Sequence, residues 1–366
     1  MTRRGQEQGR GTRRQRVSFR FVIEQHTESA LLVGARQHDE AAFRALVEPH
    51  GRHLKLLCYR MLGSLLDAED ASQETLLKAW RGLRGYDGQA SVRTWLSRIA
   101  TNTCLDMLRS RKRRVLPPDV APPITSSWTE PAEWGTPGLD IPWLEPYPDN
   151  LLPQMDPAAQ AELRESVSLA YVRALQLLPP RQRAALILRD VLEWPARDVA
   201  DALDTTVAAV NSALQRARAT TRSARGSLSD TALGQHRAGI ATRFVRAWED
   251  GDVDLLLSLL TEDAVVMMPP MFAWFQGIET LRPALAHSWG MDPRPGVFRV
   301  QVMPMNGQLG FAFWYRPYGD GGYTALDIVV LTLDPTGQRV REMTSFVKPE
   351  LFDAVGLPRE LPPLAS

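Results

Sequence analysis

The sequence predicts a multidomain protein in which two all-α modules, a helical bundle and a helix-turn-helix, precede a cone-shaped α+β domain. Three observations carry that prediction. Apolar residues recur at three-and-four spacing through Glu28–Arg114 and again through Glu162–Arg225, the period of amphipathic helices. Between these stretches, Val115 to Ala158 holds eleven prolines and no long periodic segment. From Leu233 onward the pattern changes to a helix followed by short strands punctuated by turns such as Asn306-Gly307.

A chain of 366 residues exceeds one ordinary domain, so two or three cores are expected. No apolar run approaches the roughly 20 residues needed to span a bilayer, and the polar N-terminus lacks the apolar segment of a secretory signal. A cytoplasmic protein with no membrane partner is therefore expected. Cys58 and Cys104 both fall on apolar helical faces and read as small buried hydrophobes, so neither a disulfide, a metal nor a cofactor is expected. The net charge of +1 hides segregation: residues 1–20 hold seven arginines and one glutamate, whereas Val115–Leu163 holds eight acidic residues and no lysine or arginine. Basic modules around an acidic connector suit selective contact with a polyanion.

Residues 1–24 are Arg-, Gly- and Gln-rich with little to bury, and read as a disordered basic tail. The first module, 25–115, opens with helix on the stripe Phe43, Leu46/Val47, His50, Leu54, Leu57/Cys58 and Met61, interrupted at Pro49. Gly63-Ser64 closes that element, and Asp67 is expected to cap the next helix, DAEDASQETLLKAWRGL. This helix is expected to bury Ala71, Leu76, Leu77 and Trp80 and to expose Asp70, Gln73, Glu74 and Lys78. After a loop at Tyr86–Gln89 comes SVRTWLSRIATNTCLDMLRSRKRR, in which Arg98, Asn102, Asp106 and Arg109 share the face opposite the apolar stripe. Its basic end, Arg109 to Arg114, can hold phosphates, while Asn and Arg can hydrogen-bond base edges. A solvated basic face has the same pattern, and this stretch alone does not separate the two.

YRMLGSLLDAEDASQETLLKAW followed by TWLSRIATNTCLDMLRSRKRR resembles region 2 of the extracytoplasmic-function (ECF) sigma factors of the sigma-70 family. The resemblance implies docking of the DAED-type helix on the clamp of the RNA polymerase β′ subunit through Asp67, Asp70, Gln73, Glu74 and Lys78. It also implies recognition of the −10 promoter element by Tyr86, Asp87, Gln89, Arg98, Asn102, Asp106, Arg109, Arg111, Lys112 and Arg113. For Asp106 the alternative is a carboxylate that orients a neighbouring arginine.

Residues 116–158 read as an acidic, Pro-rich linker. The resemblance implies a segment threaded through polymerase toward the RNA exit path. Its patch IPWLEPYPDNLLP is too aromatic for a spacer, and Trp143, Leu144 and Tyr147 are expected to dock, with the C-terminal domain as the candidate surface.

The second module, 159–228, is helical. PARDVADAL, the turn Asp204-Thr205-Thr206 and VAAVNSALQRARATTRSAR read as a helix-turn-helix, with Ala200, Leu203, Val207 and Val210 packing it and Thr205 or Thr206 as cap. It resembles region 4, which implies reading of the −35 element and contact with the polymerase β flap. Asn211 and Ala213 stand where the family often carries basic residues. Base reading is therefore expected at Thr206, Ala209, Asn211, Ser212 and Gln215, with Arg216, Arg218 and Arg222 on phosphates.

The last domain, 233–360, reads as a helix over Arg237–Leu260, a strand in DAVVMMPP, a helix in IETLRPALAHSW and a curved antiparallel sheet. It resembles the SnoaL-like (nuclear transport factor 2-like) fold, which implies an open end lined by aromatics. The pocket candidates are Trp248, Phe272, Trp274, His287, Phe313, Tyr315, Tyr323 and Asp327, with a small ligand as occupant. Fold alone does not imply catalysis, and none is expected. The expected function is a sigma factor whose activity is modulated in cis by this domain. Two alternatives stay open: a cyclase- or isomerase-type enzyme with a helical targeting module, and a DNA-binding regulator independent of polymerase.

Overall fold

The computed structural model describes residues 28–124, 137–224, 233–289, 296–317 and 321–363, so the tail expected at 1–24 lies outside the described residues. The first module consists of α1 (28–36), α2 (Glu40–Val47), α3 (Gly51–Leu62), α4 (Leu65–Gly82) and α5 (Val92–Ser110). Pro49 sets a 3-10 turn, Glu48–His50, between α2 and α3. Gly63 ends α3 in the left-handed conformation, φ 68°. A Cβ there would lie 2.8 Å from Gln176 and 3.0 Å from Leu144, so this stop is where the second module and the linker press on the first.

The cap of α4 is Ser64 rather than Asp67. The Ser64 hydroxyl accepts from the Asp67 N–H at 3.1 Å, which leaves the Asp67 carboxylate free for other partners. Leu77, expected inside, is 51% exposed. The buried row of α4 runs Ala68, Ala71, Ser72, Thr75 and Ala79, and Leu77 stands half a helical turn away from it. Cys58 on α3 and Cys104 on α5 are free and buried, and their thiols hydrogen-bond to each other. Burial first, and then the neighbouring thiol, push the Cys104 thiol well above its ordinary value. A thiol reagent is expected to modify neither cysteine in the native protein and both after denaturation; rapid labelling of the native protein would contradict this packing.

The second module starts inside the expected linker with α6 (Pro157–Glu165), capped by Asp156, and continues with α7 (Leu169–Gln176) and α8 (Pro180–Leu186). α8 widens into a π-helical turn, Ile187–Val191. The helix-turn-helix is α9 (Ala196–Ala202) and α10 (Val207–Thr221), joined by a turn with Asp204 at φ 48° and capped by Thr206. Val210, Leu214 and Ala217 pack α10, whereas Val207, at its first position and before that row begins, is 41% exposed rather than packed.

The expected helix over Arg237–Leu260 is two: α11 (Leu233–Asp250) breaks at Gly251, φ 69°, and Asp252 caps α12 (Val253–Leu259). Then follow β1 (Leu260–Met267), β2 (Trp274–Gln276), α13 (Ile278–Trp289), β3 (Gly296–Val302), β4 (Leu309–Pro317), β5 (Tyr323–Leu333), β6 (Val340–Phe346), α14 (Leu351–Val355) and β7 (Glu360–Leu361). The strand order is β2-β1-β6-β5-β4-β3, with β7 on β5. The sheet is mixed rather than antiparallel, because β1 and β6, separated by the whole excursion through β2 to β5, run parallel.

Strand alternation gives this sheet two apolar faces. The inner one, with Phe311, Phe313, Val329, Leu331 and Met343, closes on α11, α12 and α13. The outer one, with Met303, Met305, Trp314, Ile328, Val330 and Phe346, merges with the packing of both helical modules and the linker into one unbroken core. α3 packs on α7 and α8, and α14 packs on α4. The three domains therefore share an interior, which is more than a surface contact between neighbours.

Candidate nucleic-acid interface

On α5, Arg98, Asn102, Asp106 and Arg109 are all exposed, as are Lys112 and Arg113 beyond its end. Asp106 pairs with Arg109 at 3.1 Å and with Lys78 at 3.8 Å, so its carboxylate orients cations. Lys78 also donates to Thr103 Oγ1 at 3.2 Å; it braces α4 against α5 and does not stand clear on α4. In the loop, Asp87 and Gln89 are exposed, but Tyr86 is buried against Trp95, with ring centroids 4.9 Å apart, and donates to Ala90 O. Its ring anchors the loop because loop residues with an apolar body need a partner surface.

Asp67 and Arg111, expected to face different partners, hold each other: both Arg111 and Arg114 bond the Asp67 carboxylate. Burial pushes that carboxyl up, but the hydrogen bonds and charges of the two arginines outweigh it and hold Asp67 below its usual value. Asp70, Gln73 and Leu77 form the outward face of α4, with Glu74 half-buried at its edge. The missed member is Leu77, for which an apolar residue opposite the buried row was the available signal.

On α10 and its two caps, Thr206, Ala209, Asn211, Ser212, Gln215, Arg216 and Arg222 are exposed. Arg218 is bound bidentately by Asp190, Nε to Oδ2 at 2.9 Å and Nη2 to Oδ1 at 2.6 Å, which makes it a brace between α10 and the π-helical turn. Val207 and Ala208 are exposed beside Asn211 and were not anticipated.

The linker converges on two buried nodes. Glu145 accepts from Ser64 Oγ at 2.6 Å, Leu66 N at 3.2 Å and Lys348 Nζ at 2.5 Å, joining the start of α4 to the end of β6. Asn306, at the tip of the β3–β4 hairpin, donates from Nδ2 to Tyr59 Oη at 2.8 Å and Val167 O at 2.7 Å, while its Oδ1 accepts from Tyr147 N at 2.8 Å. One side chain thus touches the first module, the second module and the linker. Next to it, Gly307 at φ 68° leaves no room for a side chain, since a Cβ would lie 2.7 Å from Arg164 Cβ. Trp143 lies edge-on to Phe272, and Trp274 Nε1 donates to Ala121 O at 2.9 Å.

These contacts correct the pocket list. Phe272 and Trp274 hold the linker, Tyr323 packs on the outer face, and His287 is exposed on α13. Only Trp248, Phe313 and Asp327 meet on the inner face, with Tyr315 beside Phe298 at its rim. Aromatic composition marks apolar contact but not which face of a strand carries it. Asp327 accepts from Ser345 Oγ, its Oδ1 has no hydrogen-bond partner among the described residues, and burial pushes its carboxyl up to about 7. Arg98, meanwhile, donates to Asp201 O on α9 at 2.7 Å, so the α5 face touches the helix-turn-helix directly. Behind this contact a cleft of about 720 Å³ opens between the modules, lined by His53 and Arg93 but also by Glu162, Glu165 and Asp190. Its mixed charge does not suit a polyanion.

Exposed basic and amide-bearing faces on two helical modules, one a helix-turn-helix, define a DNA-reading protein with an appended α+β domain. Residues 46–114 match Sigma-70 region 2, residues 168–220 match Sigma-70 region 4, and residues 241–343 match the SnoaL-like domain. The chain is 42% identical over 322 residues to the ECF RNA polymerase sigma factor SigG of Mycobacterium tuberculosis, which covers 87% of this chain and 85% of that one. It is 27% identical over 315 residues to SigJ of the same organism, across 82% of this chain and 90% of SigJ. The crystal structure of SigJ shares the fold, with a TM-score of 0.51 at 22% identity over 84% of this chain and 96% of that one. The chain belongs to the ECF RNA polymerase sigma factors. No helix among the described residues is long and apolar enough to cross a membrane.

Proposed function

We propose that this sigma factor is held by its C-terminal domain in a closed form, and that its −10 and −35 faces read a promoter together only after the two helical modules separate. The observation that carries this is the bond from Arg98 to Asp201 O, which puts a −10 residue against the −35-reading module. Boxes set roughly 25 base pairs apart lie about 85 Å apart on duplex DNA at 3.4 Å per pair. Modules in hydrogen-bonding contact cannot span that distance. In the open form Asp87, Gln89, Arg98, Asn102, Arg109, Lys112 and Arg113 would face the −10 element, and α10 the −35 element. Asp70, Gln73 and Glu74, with Leu77 between them, would face the β′ clamp, and the second module would meet the β flap. This α4 face is already exposed, so polymerase docking need not wait for opening.

The C-terminal domain acts in this reading as a clamp and not as an enzyme. Buried Asp327 is the one observation favouring catalysis, but among the described residues its only side-chain hydrogen bond is from Ser345 Oγ, and His287 is exposed on α13. The test is start-site selection by bare core polymerase with the full chain, with a chain ending before residue 233, and with Lys348→Ala. The last removes a cation from buried Glu145 while keeping the outer sheet face covered. Core binding is expected to persist in all three, with transcription raised in the two altered forms. Identical transcription by all three would remove the clamp, and no start-site selection by any would remove the promoter reading.

A further inference from the structure

We infer that α10 reads the −35 element mainly through A·T base pairs, using the Asn211 and Gln215 amides and the methyl groups of Val207 and Ala208. This rests on the promoter reading above and adds the kind of base that is read. The geometry starts from the buried row Val210, Leu214 and Ala217, which fixes how α10 is turned. Opposite that row, at 100° per residue, stand Ala208, Ser212 and Gln215, with Val207 and Asn211 on one flank. All five are exposed, and Thr206 caps the leading end through Ala209 N at 3.2 Å. In a helix-turn-helix this leading end enters the major groove.

Each base pair offers that groove a different set of groups. Guanine presents two acceptors, O6 and N7, which are matched by the paired donors of arginine or by lysine. Adenine presents an acceptor and a donor, N7 and N6–H₂, matched by a carboxamide that donates and accepts at once. Thymine presents a methyl group, matched by apolar side chains.

From Val207 to Gln215 the helix carries no arginine or lysine. Arg218, the cation nearest the Asn211 flank and seven residues beyond Asn211, is held through its Nε–Nη2 edge by Asp190. Arg216 lies on the other flank, further from the leading end, where phosphates run. What remains at the reading end is two carboxamides and three exposed apolar side chains, Ala208, Ala209 and Val207, the last at 41% exposure. Ser212 and Thr206 hydroxyls accept either pair and set no preference.

The test is in vitro transcription by holoenzyme containing the full chain or its Lys348→Ala form, on templates with the −35 window randomised and the −10 element held. Enrichment of adjacent A·T pairs is expected. Asn211→Ala and Gln215→Ala should each flatten the preference at one position, a loss of about 5- to 150-fold in discrimination there. Uracil in place of thymine in the enriched motif should weaken it, by removing the methyl that Val207 or Ala208 meets. Arg216→Ala should instead weaken every template alike and lower the salt slope by about one. A motif led by G·C pairs, or an unselected −35 window beside a selected −10 element, overturns the inference and leaves the promoter reading standing. Absence of start-site selection on every template with both forms overturns the promoter reading, and this inference with it.

Discussion

Replacing Asn306 with alanine is expected to loosen the closed form by roughly 2–6 kcal/mol, at about 1–3 kcal/mol for each of the two buried groups left unpaired, Tyr147 N–H and Val167 O, since Tyr59 Oη keeps its bond to Glu145 O. Asn306 is fully buried, and its amide meets Tyr59 Oη, Val167 O and Tyr147 N. The orientation of that amide is fixed by its neighbours: only the oxygen can accept from a backbone N–H, and only the nitrogen can donate to a carbonyl. Asn306→Asp keeps the shape but sets an acceptor opposite the Val167 carbonyl, so it should be almost as damaging. Asn306→Gly loses the same hydrogen bonds as alanine but keeps access to the left-handed φ of 55°, so the difference between the two reads the backbone contribution. The measurement is amide hydrogen exchange across 137–156, together with transcription on bare core polymerase. Faster linker exchange and higher activity are expected in all three variants; linker protection unchanged from wild type would show that the hairpin tip is not a latch.

Asp327→Asn is expected to stabilise the protein at pH 8 and to do little at pH 4. Burial raises the folded-state carboxyl from 3.8 to about 7, so the native chain binds this proton more tightly than the unfolded one. Stability from this group is therefore full below the unfolded value, declines as pH rises from about 4 to about 7, and stays low above that. The gap corresponds to on the order of 4 kcal/mol at 1.36 kcal/mol for each pH unit. Asparagine cannot ionise and removes this slope. Glu342, whose carboxyl burial also pushes up, contributes a slope of the same sign, so the variant flattens the profile without abolishing it. Denaturant midpoints at pH 4, 6 and 8 decide it; a wild-type curve parallel to that of Asp327→Asn would mean that the carboxyl titrates normally.

Much of the helical half was legible because its signals are local. The rows that pack α4, α5 and α10 repeat within one helix, and the cap was readable as Thr205 or Thr206, of which Thr206 accepts from the N–H three residues on. Asn306-Gly307 was legible as a turn, but not as a node, since Asn306 finds Val167, Tyr147 and Tyr59 at separations of 139, 159 and 247 residues. The same limit hid the pairing of Arg218 with Asp190, which turns an apparent phosphate contact into a brace. In the C-terminal domain the longer strands were legible and their faces were not. Phe313 and Tyr323 are equally aromatic, and only register puts one inside the cone and the other on its outer wall. β2 and β7 span three and two residues, too few to show any period.

The outer wall of the sheet has no polar coat of its own, because its residues belong to a core that it completes with the rest of the chain. A controller built this way cannot diffuse off and leave a working factor behind, as a separate inhibitory subunit can. Its stoichiometry is fixed at one per molecule by the gene itself, and no proteolytic removal or partner exchange is needed to reset it. Under the proposed clamp, opening is a rearrangement within one polypeptide, and that step does not depend on the factor's own concentration.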